Sequence, residues 1–311
     1  MSSQLDLLVV GSVALDTIET QAATRTEVLG GSASYFTAAS SFLTSVGLVA
    51  VVGDDFPEEH SQFLHRLGVD TQGIERHTGK TFRWHGRYSE DFNKRTSIDT
   101  QLNVFAGFEP KLSAAHASAR LLFLGNIDPV LQLRVLDQMK NVELVGLDTM
   151  NFWINGSREA LLKVLRRVDF LLLNDEEARL LSGRHNLVHA AQAIQRLGPK
   201  NVVVKRGDAG ALLFHDEHIF AAPALPLTEV VDPTGAGDSF AGGFMGYLSR
   251  TWRGGHLDGA FVRRAMICGS TMASFCCEDF SLDRFRALTH PIIDSRFRAF
   301  RQLTHFEDLV L

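Results

Sequence analysis

Asp238 closes the run Asp232-Pro233-Thr234-Gly235-Ala236-Gly237-Asp238 and is the side chain best placed to move a proton. Phe240, Phe244 and Leu248 follow at helical spacing, so the run reads as a tight loop opening a helix. The start of a helix carries unpaired N–H groups and partial positive charge, which suits an anion. Gly235 and Gly237 let the main chain turn sharply and let a bulky group come close. The N–H groups of Ala236, Gly237 and Asp238 are therefore a candidate anion hole for phosphoryl oxygens. Asp238, beside those donors, can accept the proton of an alcohol attacking phosphorus. A capped helix after a plain turn would use some of the same residues. Asp-x-Thr-Gly-Ala-Gly-Asp is more restrictive than either needs.

The elements that must hold this loop are short apolar runs separated by helical patterns. Residues 5–10 form one such run, ending at Gly11-Ser12, and others lie at 47–52, 121–124, 142–147, 170–173 and 202–204. That alternation predicts a mostly parallel sheet covered on both faces. Ligands collect at the carboxyl edge of such a sheet. Asp16 follows the first run, and Asp148 and Asn151 fall on the same edge. Gly30-Gly31 opens a second helix, carrying Phe36, Ala39 and Leu43. Asn126, after 121–124, is a candidate substrate contact or a simple turn residue. Asn174 and Glu177 share one side of a first helical turn, the spacing of a cap with its partner acid. Lys205 leads into Gly207-x-x-Gly210, where it can neutralise phosphate or simply sit at the surface. In residues 81–88 alternation puts Phe82, Trp84 and Tyr88 on one face of a strand. Arg83, His85 and Arg87 take the other, to meet an anionic substrate or solvent.

From about residue 5 to about residue 280, the motif, the Asn174-x-x-Glu177 pair, the Lys205–Gly210 turn and Asp16 with Gly30-Gly31 fall in one order. In that order the chain resembles the ribokinase-like carbohydrate kinases, the PfkB family. The resemblance implies an α/β fold, a three-layer sandwich with a mostly parallel central sheet and a small β lid. It implies one kinase domain over 1–311, the lid formed mainly by about 13–30 and 80–106. Asp238 would be the catalytic base, with Gly235, Ala236 and Gly237 as the anion hole. Asp16, Gly30, Gly31, Ser34 and Asn126 would hold the acceptor, and Asn174, Lys205, Gly207 and Gly210 the ATP. Mg²⁺ would sit near Glu177 through water, and K⁺ is a further candidate beside Asp232.

Pro233 departs from the commonest family spelling, and Ala14 and Ser34 stand where ribokinases carry Asn. A missing amide cannot orient the same hydroxyl, which counts against ribose itself. The expected activity is ATP-dependent phosphorylation of a primary hydroxyl on a sugar or sugar-like molecule. A nucleoside kinase is the alternative, with Tyr35, Phe36, Phe82 and Trp84 offering surface for a base. A non-catalytic sugar-binding relative is a third reading, opposed by the retained Asp238 and glycines. Family lids often pair, so a homodimer through the lid is a further expectation.

Composition narrows the classes. The 311 residues, 45% hydrophobic and 22% charged, suit an ordinary soluble globular protein. A net charge of −5 argues against nucleic acid as a partner. No apolar run approaches the ~20 residues of a membrane span. Cys268, Cys276 and Cys277 lack metal-ligand spacing and read as buried thiols in a reducing compartment. No targeting pattern precedes Leu5, so a cytoplasmic protein is expected. Neither a Gly-x-Gly-x-x-Gly after the first run nor a Gly-x-x-x-x-Gly-Lys-Ser/Thr string is present.

Overall fold

Leu7, Leu8, Val9 and Val10 are all fully buried, because both faces of their strand are covered. Leu7 and Val9 enter one apolar cluster, while Leu8 and Val10 enter the other. A computed structural model describes residues 5–90, 92, 95–305 and 307. Asp91, which opens the return segment of the 80–106 stretch, and much of the extreme C-terminal tail lie outside these residues.

In chain order the strands are β1 Leu7–Val10, β2 Ala14–Glu19, β3 Thr24–Gly30, β4 Val46–Gly53, β5 Asp70–His77, β6 Arg83–Tyr88 and β7 Arg95–Gln101. They continue with β8 Leu121–Leu124, β9 Leu144–Asp148, β10 Phe170–Asn174, β11 Asn201–Lys205, β12 Ala211–His215 and β13 His218–Ala222. The large sheet has nine strands in the order β13-β12-β11-β10-β9-β8-β1-β4-β5. From β11 to β5 every pairing is parallel, and β12 and β13 finish that edge as an antiparallel hairpin.

One face of this sheet is covered by helices Ser32–Ser40, Ala236–Thr251 and Gly259–Cys276. Phe244, Met245 and Leu248 on the second of these are fully buried. Each such side chain contributes about 1.5–3 kcal/mol, which seats the start of that helix firmly against the sheet edge. Helices Pro129–Gln138, Arg158–Leu165, Asp175–Ser182 and Leu187–Gln195 cover the other face.

A second sheet of four strands, ordered β3-β2-β6-β7, stands beside the carboxyl edge. β2 pairs antiparallel with β3 and parallel with β6, and β6 pairs antiparallel with β7. The register sets Trp84 beside Asp16 and Tyr88 beside Arg95. Trp84 Nε1 donates to Ser97 Oγ at 3.0 Å, so Trp84, Tyr88, Arg95 and Ser97 share the face that carries Asp16. Phe82 precedes the strand and stacks on Phe105 at 5.2 Å instead of joining Trp84 and Tyr88.

Arg83, His85 and Arg87 do take the opposite face, but none is left to meet an anionic substrate. Arg83 pairs with Glu27 at 2.9 Å and Asp55 at 2.7 Å. His85 and Arg87 share Glu19, at 2.7 and 2.6 Å. The cations there tie strands together.

Candidate active site

Helix Ala236–Thr251 starts where Gly235 adopts φ 75°, a left-handed turn that L side chains resist. A Cβ on Gly235 would also come within 2.2 Å of the Tyr35 ring. The Ala236 N–H closes a turn on the Pro233 carbonyl at 3.1 Å, so this donor is engaged and does not join the expected anion hole. The helical ladder begins with Ser239 N–H on the Gly235 carbonyl, 2.8 Å away. The N–H groups of Gly237 and Asp238 therefore lie in the first turn, outside the ladder.

Asp238 sits in that turn, partly accessible and surrounded by charge. Burial, and next the Asp148 carboxylate, push it up to about 7, while Lys205 and Arg95 pull the other way. Lys205 Nζ lies 3.5 Å from Asp148 Oδ2 and 3.0 Å from where a Gly237 Cβ would stand. Burial lowers the proton affinity of Lys205, but Asp148, Asp238 and Glu177 together raise it above the usual lysine value. Glu177 is likewise pushed up to about 7, by burial first and Asp148 second. Three carboxylates thus surround one ammonium group at the ends of β9, β10 and β11.

Asn174 and Glu177 form a full capping box. Asn174 Oδ1 accepts the Glu177 N–H and Glu177 Oε2 accepts the Asn174 N–H, both at 2.8 Å. The cap thereby fixes Glu177 beside Asp148 and Lys205. Among the described residues no cluster of three or more His, Cys, Asp or Glu could cage a metal by itself. An excess of two carboxylates over one lysine nevertheless suits a hydrated divalent ion carried on a polyphosphate.

Asp16 occupies the neighbouring strand β2. It is 3% exposed, its Oδ1 has no hydrogen-bond partner, and a Cβ on Gly30 would lie 2.0 Å from its Oδ2. Burial, and then the Asp232 carboxylate, push Asp16 up to about 8, with Asp238 adding to the effect. Asp16 and Asp238 are thus near enough for each to feel the other's charge. Gly31 turns at φ 90° against the Ser12 carbonyl, and Ser34 Oγ is buried without a partner. Asn126 is turned elsewhere: its Oδ1 accepts Trp153 Nε1 at 2.8 Å and its Nδ2 lies 3.2 Å from Met150 Sδ. Phe36 stacks on Phe123 at 4.3 Å inside the core, and the Tyr35 ring lies against Gly235. Neither is free to stack on a base, which leaves Trp84 from the aromatic set.

A cavity of about 600 Å³ opens on the other side of the turn. Lys205, Gly207, Gly210, Ala236 and Gly237 line it, together with Phe240, Ala273 and Cys277. Its size suits a nucleotide. Asn174 and Asp238 are not among its walls. The loop thus presents Ala236 and Gly237 to this cavity, and Asp16 is not on its walls.

Asp232 is fully buried, its Oδ1 and Oδ2 accepting the N–H groups of Thr234 at 2.8 Å and Ser281 at 3.1 Å. The structure gives roles to two further residues. Arg95, its guanidinium 5.3 Å from the Trp84 ring centroid, lowers the proton affinity of Asp16, Glu177 and Asp238 alike. Asp148 supplies the partner of Lys205; its place at a strand's carboxyl end was the signal available in the sequence.

Comparison with known proteins bears on the family and the fold. Residues 4–284 match the family described as pfkB family carbohydrate kinase. A cytidine kinase of Thermococcus kodakarensis is 33% identical over 252 residues, 79% of this chain and 89% of the relative. A 2-dehydro-3-deoxygluconokinase of Thermoproteus tenax is 26% identical, covering 78% of this chain and 79% of its own. Among solved structures, a nucleoside kinase of Methanocaldococcus jannaschii, a member of the ribokinase family, superposes with TM-score 0.74 at 18% identity. That match covers 95% of this chain and 99% of the other. An aminoimidazole riboside kinase from Salmonella enterica, complexed with aminoimidazole riboside and an ATP analog, gives TM-score 0.72 at 18% identity. It covers 94% of this chain and 99% of that one. The fold is that of ribokinase, and the chain belongs to the pfkB family of carbohydrate kinases.

Proposed function

We propose that the protein moves the γ-phosphoryl group of ATP onto a primary hydroxyl, with Asp238 as proton acceptor. The observation that carries this reading is the position of Asp238. It lies in the first turn of a helix, within electrostatic reach of Asp16 on one side and Lys205 on the other. An acceptor held by Asp16, Gly30, Gly31 and Ser34 would direct its hydroxyl at this carboxylate. ATP would enter the 600 Å³ cavity along Lys205, Gly207 and Gly210. Lys205 and the N–H groups of Gly237 and Asp238 would meet the charge that grows on the transferring oxygens. Magnesium, with Glu177 and Asp148 holding its waters, would supply further neutralisation of the polyphosphate. Potassium beside Asp232 and the Thr234 carbonyl would offset a buried carboxylate that has no ion-pair partner among the described residues.

Among acceptors we favour a nucleoside over a free sugar. The cytidine kinase relationship spans most of both chains, and Trp84 supplies an aromatic ring on the face that carries Asp16. ADP formation with cytidine, adenosine, ribose and 2-dehydro-3-deoxygluconate as acceptors tests this. Turnover with a nucleoside and none with free sugars is expected. Turnover with a sugar alone would make this a sugar kinase, and calorimetric binding without ADP would leave only a binding protein.

A pH profile tests the base. Asp238 must be ionised to accept a proton, and its folded pKa is raised to about 7. As pH falls through that value, the competent fraction drops toward tenfold per unit. We expect kcat/KM at pH 5 to lie roughly a hundredfold below its plateau. A plateau that extends down to pH 5 would contradict the assignment.

A further inference from the structure

The 232–238 loop is held both by the main body and by the four-stranded sheet. Thr234, directly before Gly235, is fastened at three points. Its N–H donates to Asp232 Oδ1 at 2.8 Å and its carbonyl accepts the Cys276 thiol at 3.2 Å. Its hydroxyl donates to the Tyr88 phenol oxygen at 3.1 Å, bridging 146 positions of sequence. The first two contacts come from the main body, whereas Tyr88 belongs to β6 of the four-stranded sheet. A second tie to that sheet runs through Ser281, whose hydroxyl donates to the Leu29 carbonyl on β3 while its N–H reaches Asp232 Oδ2. From the opposite side the buried Tyr35 ring presses on Gly235, its ring carbons 2.2–2.4 Å from where a Cβ would stand.

We infer that Tyr88 is a positioning residue: its hydrogen bond to Thr234 makes the shape of the 232–238 loop depend on the seating of the four-stranded sheet over the acceptor. The inference rests on reading that loop as the site of phosphoryl transfer. Hydroxyl-to-phenol contacts of this kind are worth only a few-fold to about tenfold in an equilibrium. A loop that must aim both N–H donors and a carboxylate amplifies small displacements, because misplacement by about 1 Å can cost a hundredfold in rate. The geometry explains why a tyrosine on one sheet ends at a threonine of another layer, next to the left-handed Gly235.

Tyr88→Phe removes one oxygen and keeps the ring. Arg87→Ala, on the outer face of the same strand, serves as the control, since among the described residues its side chain pairs with Glu19. We expect Tyr88→Phe to lower kcat about tenfold with KM for ATP within about twofold. Amide hydrogen exchange in peptides spanning 230–239 should quicken in Tyr88→Phe and match wild type in Arg87→Ala. Unchanged exchange in Tyr88→Phe overturns the inference whatever the kinetics show, because the loop would then not depend on the phenol. Equal acceleration in Arg87→Ala overturns it too, by showing general loosening of the sheet. Absence of acceptor-dependent ADP formation in wild type would instead remove the kinase reading, and the exchange measurement would still decide whether Tyr88 holds the loop.

Discussion

Asp238→Asn should reduce kcat by at least about a hundredfold while ATP still binds with near-wild-type affinity. The amide has the shape of the carboxylate and cannot accept the hydroxyl proton. In the proposed arrangement ATP would be held on the cavity side by groups that the substitution leaves in place, so binding and chemistry should separate. The stability of the variant distinguishes this from damage to the fold. Burial and neighbouring carboxylates raise the folded pKa of Asp238 to about 7, above its ordinary value near 3.8. The folded state therefore holds the proton more tightly than the unfolded one. Its ionised form begins to weaken the fold as pH rises through the ordinary carboxylate range, and the effect is complete above about 7. A neutral amide removes that penalty. At pH 8 the variant should melt no lower than wild type, and a large drop in melting temperature would mean that Asp238 is structural. Near-normal turnover would take it out of the mechanism.

Gly235→Ala should be the most damaging change that leaves every ionisable group untouched. Gly235 holds φ 75°, and an L side chain in that region costs about 1–2 kcal/mol. The new methyl would also meet the Tyr35 ring at 2.2 Å, where a rigid buried aromatic has little room to retreat. Overpacking of this kind costs about 1–3 kcal/mol more. A total of about 2–5 kcal/mol should lower the melting temperature by roughly 3–8 °C. Turnover should fall by two orders of magnitude or more, roughly the effect of a 1 Å shift of the donors. Differential scanning calorimetry with steady-state kinetics at 20 °C checks both. A variant with wild-type melting and wild-type kcat would show that the loop does not need this turn.

Much of the scaffold could be read from local pattern. Continuous apolar runs such as 7–10 and 170–173 became strands buried on both faces, and the spacing of Phe240, Phe244 and Leu248 gave the helix that Asp238 opens. The Asn174-x-x-Glu177 spacing gave a helix cap, as such spacing commonly does. What stayed hidden depended on partners far away in the chain. Alternation in 81–88 assigned the faces of Trp84 and Arg87 but could not reveal that Glu19, Glu27 and Asp55 would neutralise the basic face. Asn126 looked available until Trp153 took its carbonyl oxygen. The Ala236 N–H looked like an anion donor, yet the turn required by Pro233 consumed it. Lys205 and Asp148 meet only because β9 and β11 flank β10, an order no local string encodes.

If the proposed kinase reading holds, the crowding of Asp148, Glu177 and Asp238 around Lys205 has a consequence for selectivity among nucleotides. A bare triphosphate approaching that chamber would bring its own negative charge against carboxylates already held at raised proton affinity by one another. One already partly neutralised by a bound cation would relieve the crowding as it settled. Discrimination against uncomplexed nucleotide would then arise at the doorway, before any bond is broken.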